Sequence, residues 1–201
     1  MLEGGLHVFI VAGEESGDQL GFKLMRSLRA QCPDVRFSGV GGHAMQAEGL
    51  TSLFPLDDIA VMGFTAVIGR LPTIIDRVHR TVDAVVAAKP DILVIIDSPD
   101  FTHAVAKRVR RRLPDLPVVD YVSPSVWAWR PGRARRMRGY VDHVLALLPF
   151  EPAAHQRLGG PACTYVGHPL IERLGELRPA HGERPPLAGG GPATVLVLPG
   201  S

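Results

Sequence analysis

The chain has 201 residues, 46% of them hydrophobic and 21% charged, with a formal net charge of +2. That composition builds one sizeable core and the start of a second, and it excludes a disordered tail, a collagen-like repeat and a disulfide scaffold. The small net charge gives no whole-chain field for nucleic acid, and the two cysteines, Cys32 and Cys163, form neither a metal-ligand spacing nor a disulfide framework, which fits a reducing compartment.

The first five residues, Met1-Leu2-Glu3-Gly4-Gly5, lack the basic start of a signal peptide and lead directly into a buried strand at 7–12. Glycines 13, 17 and 21 follow, and a helical pattern over 20–30 places Leu20, Leu24 and Leu28 on one face. A second strand at 35–40 ends in Gly39-Val40-Gly41-Gly42. Residues 64–88 form a long helical pattern that Gly63 and Pro72 interrupt, which allows two short helices. The run at 92–96 is a strand apolar on both faces, as a parallel sheet requires. A helix opens at Asp97-Ser98-Pro99-Asp100 and runs to 109. Further strands follow at 117–121, 141–147 and 163–166. Strands alternating with helices predict βαβ units and an α/β, Rossmann-like, doubly wound parallel sheet, with ligands at the carboxyl ends of its strands. No apolar run is long enough to span a bilayer, so the expected place is the cytoplasm or a membrane surface.

From about residue 172 the composition shifts. Residues 178–192 are rich in proline and glycine and read as a linker, and 194–198 starts one more strand before Pro199-Gly200-Ser201. The expected organisation is a first domain over 1–171, a linker over 172–192 and the opening of a second domain over 193–201.

Four stretches could carry chemistry. Residues 13–21 offer glycines for close backbone approach and a following helix N-terminus, but they are neither a dinucleotide fingerprint, a P-loop nor a nucleophile elbow. The structural alternative is a tight turn in which Ser16 or Asp18 caps the helix. Gly41 and Gly42 are equally compatible with a substrate-approach loop and a plain turn. Asp97-Ser98-Pro99-Asp100 lies at the end of a buried strand, where a carboxylate can take a proton from a substrate hydroxyl. The alternative is a helix start with Ser98 as N-cap and Pro99 at the first position. In residues 121–130, Ser123, Trp127, Trp129 and Arg130 suit sugar stacking or phosphate pairing, with the tryptophans on one side if the segment is extended. The alternative is a plug that buries both indoles. The arginines at 130, 133, 135, 136 and 138 form a basic run, either a solvated helix face or a contact for anionic lipid or phosphate. His168, in Gly167-His168-Pro169, sits at a strand end beside the linker, and no histidine has metal-ligand spacing.

In order along the whole chain, AGEESGDQLG (12–21), FSGVGGHAMQAEG (37–49), AVMGF (60–64), KPDILVIIDSPDF (89–101), YVSPSVWAWR (121–130), LLPFE (147–151), YVGHPL (165–170) and LPGS (198–201) resemble the lipid-A-disaccharide synthases, the bacterial glycosyltransferases of lipid A assembly. The family is about twice this length, so the sequence resembles its N-terminal half. The resemblance implies the N-terminal domain of a GT-B fold and the start of its second domain. It implies transfer of 2,3-diacylglucosamine from UDP-2,3-diacylglucosamine to 2,3-diacylglucosamine 1-phosphate, with inversion and without a metal or other cofactor. On that basis Asp100 is the expected base, and Asp91 a structural residue. Glu15, Ser16, Asp18, Gly41 and Gly42 become acceptor-side candidates, joined by Ser123, Trp127, Arg130 and His168. Val67, Ile68, Leu71, Ile74 and Ile75 follow helical spacing; such a stripe is either core or, beside Arg70, Arg77 and Arg80, a surface for acyl chains and the cytoplasmic face of the bacterial inner membrane. The expected protein is peripheral on that face, with a homodimer as a candidate assembly at full length. The alternatives are a truncated, non-catalytic glycolipid-binding module and a UDP-sugar epimerase relative.

Overall fold

A computed structural model describes residues 5–59 and 64–177, with side chains left undescribed at 64–70, 173, 176 and 177. It divides into two compact units, residues 1–168 and 169–201. The first holds six parallel strands: β1 (His7–Ala12), β2 (Arg36–Val40), β3 (Ile92–Ile96), β4 (Val118–Tyr121), β5 (His143–Ala146) and β6 (Ala162–Tyr165), in the order β2-β1-β3-β4-β5-β6. Between them run α1 (Glu15–Gln31), α2 (His43–Ala47), α3 (Phe64–Ala88), α4 (Pro99–Arg112), α5 (Gly132–Met137) and α6 (Glu151–Arg157). The described part of the second unit is a 3-10 turn, Pro169–Arg173, followed by the short helix α7 (Leu174–Leu177). The expected linker beyond 177 and the strand at 194–198 lie outside the described residues.

The strands are continuous apolar runs because both sheet faces are covered. Side chains alternate along a strand, so Phe9, Val11, Leu93 and Ile95 enter a core with Val78, Val82 and Val85 of α3 and Phe101, Val105 and Val109 of α4. Val8, Ile10, Val94 and Ile96 point the other way, onto Leu20 and Met25 of α1 and Met45 of α2. Asp91 anchors the start of this register: its carboxylate accepts from His7 N at 2.7 Å, and its own N–H donates to the His7 carbonyl.

Two expectations change here. The 64–88 segment is one helix with Pro72 inside it, not two short ones. An interior proline costs about 3 kcal/mol, and burial of Val78, Val82 and Val85 on one face offsets it. Asp18 caps no turn of its own helix. It is fully buried, and its carboxylate accepts from the backbone N–H groups of Gly42 (2.7 Å), Ala44 (2.8 Å) and Met45 (3.1 Å), fixing the start of α2. Asp18→Ala leaves those three donors without their acceptor, and we expect it to lower the unfolding free energy by about 3 kcal/mol. Urea unfolding would show this as a fall in midpoint at constant slope, with Asp18→Asn, which keeps one accepting oxygen, in between.

Candidate functional site at the carboxyl edge of the sheet

Parallel strands bring every strand-to-helix turn to one edge. The chain leaves β1 toward β2 on one side and β3 toward β4 on the other, so the turns after β1 and β3 diverge and open a crevice between them. Gly13 and Ser98 face each other across its base. A Cβ on Gly13 would overlap Ser98 Cβ, so only glycine lets the two turns approach this closely.

The turn after β3 is strained. Asp97 (φ +53°) and Ser98 (φ +43°) are consecutive non-glycine residues in the left-handed region. Asp97 Oδ1 accepts from Ser98 N at 2.7 Å, and the Thr102 hydroxyl donates to the Asp97 carbonyl at 2.7 Å. Ser98 occupies the N-cap position of α4, but its side chain makes no capping bond, contrary to the sequence expectation. Asp97 Oδ2 instead meets the turn after β1, where the Ser16 hydroxyl lies 3.1 Å from it and 2.7 Å from Glu14 Oε1. Sequence reasoning named Ser16 but not Glu14 or Asp97 as site residues. The position of Asp97, directly after the last apolar residue of β3, was the available signal. Asp100, in the first turn of α4, has a 93% exposed side chain and pairs with Arg133 at 3.2 Å.

The other candidates are distributed around the same edge. Gly41 and Gly42 lie at the end of β2, with Gly41 N donating to Ser52 Oγ at 3.2 Å and Gly42 held by Asp18. Glu15, exposed on α1, accepts from Gln19 of its own helix. After β4 the segment turns instead of extending, so the two tryptophans are not stacked in line: Ala128 and Trp129 both donate to the Ser125 carbonyl. Within the chain neither indole is buried; Trp127 is 42% and Trp129 57% exposed. Trp127 packs edge-on to Phe150 with ring centres 5.0 Å apart, and the Arg130 guanidinium lies 4.1 Å from the Trp129 ring. Ser123 is buried, within 2.8 Å of His155 Nε2. His168 is exposed at the end of the first unit. Leu71 and Ile75 are exposed on α3, Ile74 packs against the core, and the side chains of Val67 and Ile68 lie outside the description. Among the described residues no group of three His, Cys, Asp or Glu is placed to hold a metal ion, and no helix is long and apolar enough to cross a membrane.

Known structures share this architecture. UDP-GlcNAc 2-epimerase from Neisseria meningitidis matches with a TM-score of 0.54 and 13% identity over 84% of this chain and 48% of its own. A lipopolysaccharide outer core galactosyltransferase matches with a TM-score of 0.55 and 12% identity over 82% and 46%. The fold is thus that of one Rossmann-like half of a GT-B protein. The sequence model of the lipid-A-disaccharide synthetases matches residues 8–197, and the chain belongs to that family. The lipid-A-disaccharide synthase of Nitrobacter hamburgensis is 65% identical over 195 residues, 96% of this chain and 49% of that protein. That of Ruegeria pomeroyi is 48% identical over 199 residues. The chain spans about half the length of the curated relatives it matches.

Burial holds the His155 imidazole below its ordinary pKa of 6.5, and the charge of Asp120 opposes that only in part. The folded state therefore resists a proton that the unfolded chain accepts. Its contribution to stability is complete above pH 6.5 and falls as the pH drops through that value toward the lowered one. We expect the urea midpoint to decline from pH 7 to pH 5, and His155→Gln to flatten part of that decline.

Proposed function

We propose that the chain is the acceptor-side half of an inverting glycosyltransferase of lipid A assembly. The full protein moves 2,3-diacylglucosamine from UDP-2,3-diacylglucosamine onto 2,3-diacylglucosamine 1-phosphate. The observation that carries this is a carboxylate turn at the switch point of a family member's sheet. A carboxylate takes the proton of the acceptor hydroxyl as that oxygen attacks the anomeric carbon. The bond to the UDP oxygen breaks on the opposite face, and UDP leaves with the electron pair. No covalent enzyme intermediate is needed, and one base suffices. The motif resemblance points to Asp100. Asp97 is favoured by its place in the crevice, its hydrogen bond with Ser16 and its strained backbone.

A transfer assay on the full-length product of the gene tests the reading and separates the two carboxylates. The substitution that removes the base, Asp97→Asn or Asp100→Asn, lowers kcat by about 10²-fold or more. Full turnover in both variants refutes a base on this turn. Binding of the acceptor without any transfer by the full-length product would instead identify a glycolipid-binding module.

The acyl-chain and membrane reading, on the cytoplasmic face of the inner membrane, is supported by the exposure of Leu71 and Ile75 on α3, above the buried valines of the same helix. Leu71→Ser with Ile75→Ser should reduce sedimentation with anionic vesicles while changing stability by no more than about 0.5 kcal/mol per site. Equal sedimentation of variant and wild type would sink the membrane role of this face.

A further inference from the structure

The basic run after the tryptophans reaches the turn after β3 through the pairing of Arg133 with Asp100. Arg133 and Arg136 of α5 meet Lys107 and Arg108 of α4 around a recess of about 220 Å³. Asp100 stands at its exposed side, and the buried side chains of His103 and Tyr140 close it from below. We propose that this recess binds a phosphate monoester, its oxygens shared among Lys107, Arg133 and Arg136.

Charge is the first support. The lining sets four cations against one carboxylate, Asp100. Arg133, only 18% exposed, has its Nη2 3.2 Å from Asp100 Oδ1, but that carboxylate is almost wholly in water and so holds the guanidinium weakly. Lys107 is kept below the ordinary lysine range, first by burial and then by Arg136, Arg133, Arg108 and Arg111. The cations of the two helices therefore repel one another as they stand, and a seated dianion would relieve that repulsion.

Geometry is the second. Two guanidinium forks and an ammonium offer donors in several directions. A single planar carboxylate is satisfied by one fork, whereas a terminal phosphate presents three oxygens to all of them. The floor is a buried hydrogen-bonded row: Tyr140 OH lies 3.1 Å from His103 Nδ1, and His103 Nε2 lies 3.2 Å from the buried Asp120 carboxylate. Burial, with the charge of Asp120, pushes the Tyr140 phenol up to about 12, so it stays a hydroxyl at neutral pH. The Lys107 ammonium sits 5.0 Å from the Tyr140 ring centre, which fixes its place over that floor.

The recess deepens the acceptor reading and rests on it for the meaning of its place beside Asp100. Binding is measured without turnover, so the failure of either claim is told apart from the failure of the other. The 201-residue chain is titrated at constant ionic strength with inorganic phosphate and with glucosamine 1-phosphate, following heat and Tm. A third arm uses phosphatidylcholine vesicles with and without phosphatidate. We expect saturable binding that raises Tm and that chloride does not reproduce. Lys107→Gln with Arg136→Gln, both at exposed positions, should weaken it about tenfold or more without lowering the ligand-free Tm, because a repelling charge is removed. Arg26→Gln, which removes one positive charge from exposed α1 surface outside the recess lining, should keep the wild-type response. Binding to glucosamine 1-phosphate identifies a sugar phosphate as the source. Binding only to phosphatidate vesicles, lost in the double variant, identifies a lipid headgroup with the same chemistry. No saturable binding in any arm, or a loss shared equally by Arg26→Gln, overturns the proposal.

Discussion

One buried carboxylate sets the local geometry on which the loop beside the crevice depends. Asp18 projects from the first turn of α1 into the start of α2 and takes three backbone N–H groups that a five-residue helix cannot satisfy itself. It is wholly removed from water, so its cost of burial is offset only while all three bonds are made. The Gly41–Gly42 turn follows from it: a Cβ on Gly42 would stand 2.8 Å from Asp18 Oδ2. A residue whose position suggests ligand contact thus contributes by shaping the loop beside the crevice.

The opposite wall is set by a steric condition. The absence of a side chain at Gly13 allows Ser98 to approach, and Ser98 with Asp97 adopts a backbone that most residues avoid. The buried β3 before it and α4 after it, with Phe101 and Val105 in the core, hold that conformation. The rigid parts of the molecule therefore sustain local strain at the turn that carries Asp97. Asp97 and Asp100, three residues apart, enter different surroundings as a result. One meets the Ser16 hydroxyl, and the other meets the guanidinium of Arg133.

Much of the fold was legible in the sequence, for identifiable reasons. The strands are apolar runs with β-branched residues, and their alternation with helical patterns leaves few topologies. The helices α2 and α6, of five and seven residues, are too short to display a period and were not anticipated. Pro72 was read as a breaker because its local cost is visible, whereas the compensating burial of Val78, Val82 and Val85 is tertiary. Glycines 13, 41 and 42 and the Asp97–Asp100 turn could be located, since turn residues at strand ends mark the carboxyl edge. The partners of Asp18 could not, because they lie 24 to 27 positions away in sequence. The two tryptophans show the limit of periodicity: alternation defines a face only if the segment is extended, and Ser123-Pro124-Ser125 bends it.

The strand order has a consequence for how the chain is made. Of the described strands β1 leaves the ribosome before the others, yet it belongs in the interior of the sheet, between β2 and β3. Val8 must wait for Ile92, its partner in register. At ~5–20 residues per second, that wait is roughly 4 to 17 seconds of synthesis. During it, a segment with both faces apolar and one ladder edge open has no native neighbour on that side. The helices α1 and α2 and the strand β2 can form in the interval and cover one face. Substitutions that weaken that early unit, such as those at Asp18, would lower the yield of soluble protein in cells by more than their effect on the finished fold suggests.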